Sequence, residues 1–148
     1  MGRSSLTGND AVGGALAAAA DAKSPKIIDI ISGSGALSEE EKNASLTASA
    51  LMGMNNVRYP YVEMTEDADL KSQPAQLRMN AYAKSGGVAK RRFQRYALSA
   101  SIIGKCQFCI KSHVALLKPK GMSSQQLRDI GRIAAVINAT SPVIAAAN

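Results

Sequence analysis

Apolar residues in this chain recur at intervals of three and four, and no segment alternates with a clear period of two. A half-buried strand needs that alternation, because successive side chains point to opposite faces of a sheet. Its absence leaves helices as the regular element the chain can build at length, so an all-α fold is expected. Composition points the same way. Ala supplies 25 of the 148 residues, aromatic residues make up 4%, and Trp is absent. Ala is the best helix former, whereas sheets favour β-branched and aromatic side chains. The length suits one compact domain over residues 1–148, which at this size buries roughly 70% of its unfolded surface.

Start and stop signals divide the chain into helices. Asn9 or Asp10 can cap a first helix over 10–22. Ser24-Pro25 reads as an N-cap followed by Pro at the first helical position, with Gly33-Ser34-Gly35 closing the short segment behind it. Ser38-Glu39-Glu40-Glu41 is a capping box that opens a helix to residue 54. Residues 55–69 are polar and carry Pro60 and four acids, so they are expected to form a surface loop between two helical halves. Further helices are expected over 74–82, 89–103 and 105–117, with Gly104 ending the second of these. Ser123 and Gln126 cap a last helix to residue 138, and Pro142 starts a separate final turn.

Charge is unevenly placed. The net charge is +7, and between Leu70 and Arg128 there is no Asp or Glu, while twelve of the 18 Lys and Arg fall there. Such a field steers anionic substrates or acidic partners. With no nucleic-acid motif and no aromatic stacking platform, nucleic acid is not expected as a partner. No apolar run approaches the 18 residues of a membrane span, so no membrane association is expected. The N-terminus lacks the pattern of a secretory signal, and a cytoplasmic location is expected.

Both cysteines and the only histidine fall within eight residues, Cys106-Gln107-Phe108-Cys109-Ile110-Lys111-Ser112-His113. At about 100° per residue, Cys106, Cys109 and His113 share a helix sector of about 60°. The two sulfurs stand at i, i+3, a spacing that suits a disulfide in a helix's first turn, and His113 is the i+4 neighbour of Cys109. A thiolate is the reactive form of cysteine, and the helix N-terminus, His113, Lys105 and Lys111 all favour it. The helix dipole acts most strongly on Cys106, while the i+4 histidine favours Cys109. Three ligands in two turns of one helix fit a tetrahedral zinc site poorly. A buried, inert pair of cysteines is the structural alternative.

The stretch Gly104-Lys105-Cys106-Gln107-Phe108-Cys109-Ile110-Lys111-Ser112-His113 resembles the Cys-x-x-Cys-x-x-x-His core of the AhpD-type alkylhydroperoxidases, within the carboxymuconolactone decarboxylase superfamily. Met52-Gly53-Met54-Asn55-Asn56-Val57, Leu77-Arg78-Met79-Asn80 and Ile133-Ala134-Ala135-Val136 are similar to further segments of those proteins. The resemblance implies an all-α AhpD-like fold that assembles into homotrimers or homohexamers. It implies a dithiol peroxidase in which Cys109 attacks the peroxide, Cys106 resolves the product and His113 relays protons. It implies no bound cofactor, an external dithiol such as a lipoyl group as reductant, and a peroxiredoxin as possible client. Two relay positions depart from the family pattern: Gln94 stands where a glutamate starts the relay, and Phe108 where a second histidine lies. An amide orients but takes no proton. The alternatives are therefore a non-catalytic or slow dithiol oligomer that keeps the fold, and a decarboxylase or lactone-acting enzyme of the same superfamily, against which the intact cysteine pair speaks.

Overall fold

The computed structural model describes residues 5–77 and 88–147, and among these every regular element is a helix. In chain order they are α1 (Gly8–Asp21), α2 (Pro25–Gly33), α3 (Glu39–Thr65), α4 (Ala68–Ser72), α5 (Lys90–Gly104), α6 (Gln107–Leu117), a 3-10 turn (Lys118–Lys120) and α7 (Ser124–Ala146). Residues 78–82 of the helix expected over 74–82 and the similarity at Arg78-Met79-Asn80 lie outside the described residues. Residues 74–77 are not helical.

Helices α1, α3 and α5 pack against one another and enclose a core of small residues around Leu51, Met52, Phe93 and Tyr96. Ala17, Ala44, Ala48, Ala97 and Ala100 line the seams, which lets the helix axes approach closely. Gly13 is where α1 meets Tyr96: a Cβ at that position would collide with the ring. The close approach also brings Ser45 Oγ within 2.7 Å of Gly13 O and Ser99 Oγ within 2.7 Å of Gly14 O, so two buried hydroxyls donate to α1 carbonyls. Helix α7 covers α1 and α5, and Leu98, Leu117, Met122 and Ile130 fill a second cluster there. Helix α6 lies across α5 and α3.

Three sequence expectations are corrected. Thr7, not Asn9 or Asp10, caps α1, with its side chain accepting from Asp10 N. Asp10 is instead buried between Arg92 and Arg95, and a carboxylate paired with two guanidinium groups is not available for capping. The expected loop over 55–69 is helix up to Thr65, and α3 runs through Pro60. Tertiary contacts override weak local propensity there: Asn56 Nδ2 donates to Ala100 O at 3.2 Å, Arg58 Nη2 donates to Gln73 O at 3.0 Å, and Val62 is buried. Helix α7 likewise continues through Pro142. Thr140 Oγ1 donates to Val136 O and Ser141 Oγ to Ile137 O, each at 2.7 Å, in the turn that precedes the proline.

Candidate active site

The site forms where α5 turns into α6. Gly104 ends α5 as expected, and Lys105 behind it takes the left-handed conformation at φ 56°. Glycine is required at 104 because a Cβ there would collide with the Asn56 side chain. Lys105 N–H donates to Ile102 O and Cys106 N–H to Ser101 O, which closes the end of α5. The reversal sets Cys106 as the N-cap of α6, where its Sγ accepts from Cys109 N at 3.3 Å. Cys109 and His113 follow inside α6, one turn apart.

Cys106 and Cys109 are joined as a disulfide, with Cα atoms 5.2 Å apart, inside the span a disulfide bridges. The pair is buried: Cys106 is 0% exposed and Cys109 3%. Asn55 O of α3 lies 3.7 Å from Cys106 Sγ. Beside the disulfide, the Phe108 ring stacks on Tyr59 of α3 with centroids 4.3 Å apart, and Phe108 stays 46% exposed. Phe108 thus packs against α3 and carries no titrating group. A cleft of about 310 Å³, lined by Pro60, Glu63, Met64, Lys105 and Gln107, runs past the same junction.

His113 is held from two helices. Gln94 Oε1 of α5 is 2.7 Å from Nδ1, and Met52 Sδ of α3 is 3.2 Å from Nε2. Burial pushes the imidazole pKa down to about 4, so the ring is neutral at physiological pH. Among the described residues no carboxylate is hydrogen-bonded to it, and the acids Glu63 and Glu66 of the expected loop are exposed on the surface. The structure joins Cys106 to Cys109 and sets His113 against Gln94, with the two pairs one turn apart on α6. It adds Met52, the Asn55 carbonyl and Tyr59, which sequence reasoning did not assign to the site. The signal for Met52 and Asn55 was the Met-Gly-Met-Asn-Asn segment, which carried a resemblance and no role, and Tyr59 had none. Among the described residues no three His, Cys, Asp or Glu side chains group in a way that could hold a metal, and no helix is long and apolar enough to cross a membrane.

The carboxymuconolactone decarboxylase family model matches residues 68–148. Among curated relatives, the alkyl hydroperoxide reductase AhpD of Rhodospirillum centenum is 39% identical over 143 residues, covering 95% of this chain and 76% of that protein. That of Coxiella burnetii is 34% identical over 142 residues, covering 95% and 80%. That of Maricaulis maris is 43% identical over 110 residues, 74% of this chain, and the match spans 63% of the Maricaulis protein's length.

Proposed function

The chain belongs to the carboxymuconolactone decarboxylase family, in its AhpD-type branch, and from that premise we infer that it is a thiol-dependent peroxidase. The observation that carries this is the buried Cys106–Cys109 pair at the start of α6, with a neutral histidine one turn away. In the reduced protein the Cys109 thiolate attacks the terminal oxygen of a hydroperoxide. An S–O bond forms, the O–O bond breaks, the alcohol leaves with a proton, and Cys109 becomes a sulfenic acid. Cys106 then attacks that sulfur, water leaves, and the disulfide forms. Two electrons from an external dithiol, such as a lipoyl group, reopen it, and a peroxiredoxin is the protein client. No bound cofactor takes part.

Two features favour Cys109 as the attacking sulfur. His113 is its i+4 neighbour, able to take the thiol proton and return it to the leaving oxygen. The Asn55 carbonyl facing Cys106 accepts from a thiol there and disfavours its thiolate. Proximity of the Cys109 amide acts the other way on Cys106, as does the helix dipole. The assembly is a cytoplasmic homotrimer or homohexamer, and Val57, Tyr61 and Met64 on the outer side of α3 offer apolar surface for it.

Gln94 favours a second reading, a fold-retaining dithiol protein of slow turnover, because an amide cannot store the proton that a glutamate would. Peroxide consumption with dihydrolipoamide as reductant separates the two. The peroxidase reading expects turnover that falls at least about a hundredfold in both Cys106→Ser and Cys109→Ser. Turnover that persists in either variant overturns it. Sulfenic acid trapped in Cys106→Ser but not in Cys109→Ser assigns the attack to Cys109, and the reverse assigns it to Cys106.

A further inference from the structure

Met52 belongs to α3, sixty-one positions before His113, yet its sulfur is 3.2 Å from Nε2 of His113, which stands one helical turn after Cys109 on α6. It is 6% exposed, against 0% and 3% for the cysteines. A movement that admits a hydroperoxide to Cys109 therefore brings it beside a thioether that is no more deeply buried. Thioethers are oxidised by hydroperoxides, and the sulfoxide is polar where the thioether is a weak acceptor.

We propose that Met52 is a modification site: a hydroperoxide admitted to Cys109 oxidises its thioether to the sulfoxide, whose oxygen then holds His113 Nε2–H and takes the imidazole away from the cysteines. The proposal rests on the peroxidase reading for the identity of the oxidant. In the step, the terminal oxygen of ROOH forms a bond to Sδ while the O–O bond breaks. Sulfur loses two electrons, the peroxide gains them, and the hydroperoxide proton passes to the departing oxygen to give ROH.

Gln94 makes this lock available in this chain. Its amide presents either an oxygen to Nδ1–H or, after a half-turn, an N–H to an unprotonated Nδ1. The proton can therefore sit on Nε2, facing the sulfoxide, with both ring nitrogens still satisfied. A carboxylate at 94 accepts only and holds the neutral ring's proton on Nδ1. High peroxide would then switch the site off through Met52, and methionine sulfoxide reduction would restore it.

Two other methionines serve as internal references. Met122 is 3% exposed in the cluster between α5, α6 and α7, away from His113, and Met64 is 81% exposed on α3. The full chain is treated with excess cumene hydroperoxide, oxygen gain at each methionine is followed by peptide mass spectrometry, and residual turnover with dihydrolipoamide is measured on the same samples. Met52 is expected to oxidise at least about tenfold faster than Met122, with loss of turnover tracking Met52 sulfoxide and recovery on treatment with methionine sulfoxide reductases. In Met52→Leu, residual turnover relative to its own starting value is expected to decay at least about fivefold more slowly. Oxidation of Met52 no faster than Met122, or inactivation with Met52 intact and a cysteine sulfinic acid present, overturns the proposal. The Met52-to-Met122 ratio is read by mass and needs no turnover. A protein with no dithiol-dependent turnover thus fails the peroxidase reading without deciding this one.

Discussion

Gln94 Oε1 lies 2.7 Å from His113 Nδ1, so the side chain on α5 that touches the histidine is an amide and not an acid. Burial alone acts on the imidazole, and it stays neutral. A carboxylate at the same point would favour the imidazolium and supply a proton store. General acid–base groups typically contribute 10²–10⁴-fold. Gln94→Glu is expected to raise peroxide turnover at least about tenfold, a cautious fraction of that range, and to raise the His113 pKa measured by NMR. An unchanged rate in a folded variant would show that position 94 does not limit the chemistry.

The all-α class was legible because helical spacing, two capping boxes and the lack of any two-residue alternation agree. Both boxes, Ser38 with Glu41 and Ser123 with Gln126, close as expected. The cysteine–histidine segment was legible because its three side chains are local, a turn apart. What was not legible depends on distant contacts. The Asn55 carbonyl reaches the site because α3 continues past residue 54, where local propensity around Asn55, Asn56 and Pro60 pointed to a loop, and Met52, inside the expected helix, reaches it through a contact with His113 on another helix. Gly104 does end α5, and what was not legible is that its lack of a side chain makes room for Asn56 from another helix. Pro142 looked like a boundary, yet α7 continues through it to Ala146.

The depressed pKa of His113 links stability to pH. The folded value is about 4 against an ordinary 6.5, so between these values the unfolded chain binds the proton more readily. Stability from this group is therefore present above pH 6.5 and lost as pH falls toward 4, by up to about 3 kcal/mol. Denaturant unfolding of the oxidised protein is expected to show that loss relative to His113→Asn, whose own profile lacks it. Parallel profiles for the two proteins would contradict the burial of a neutral ring.

Asp21 acts with the opposite sign. Burial raises its pKa from 3.8 to about 6, partly offset by the hydrogen bond from Asn56, so the folded state holds the proton more readily between those values. The cost of ionising it is absent below about pH 4 and complete above about pH 6. Asp21→Asn removes that cost and can offer a donor to Asn56 Oδ1, which is buried without a partner among the described residues. Thermal melts are expected to show the variant more stable than the wild type at pH 7 and level with it near pH 4. A gain independent of pH would mean that ionisation at position 21 is not its source.

Replacing Gly by Ala inside a helix ordinarily stabilises by up to about 1 kcal/mol. At position 104 the opposite sign is expected, because the new Cβ displaces the Asn56 side chain from Ala100 O and Asp21 Oδ2. Overpacking of this kind costs about 1–3 kcal/mol. The cost of Gly104→Ala should shrink when Asn56 is already Ala, a non-additivity that a double-mutant cycle in urea reads directly. Additive effects would place the strain elsewhere.

The proposed function rests on a two-electron transfer from Cys106 and Cys109 together to a hydroperoxide. Its most direct test is an anaerobic thiol titration of the fully reduced protein before and after one equivalent of an alkyl hydroperoxide, with the reaction followed by stopped flow. Two thiols per chain are expected to disappear as one alcohol forms, with the Cys106–Cys109 disulfide as the product. Peroxide consumed while both thiols remain, or both thiols left unreacted with the peroxide intact, would contradict it.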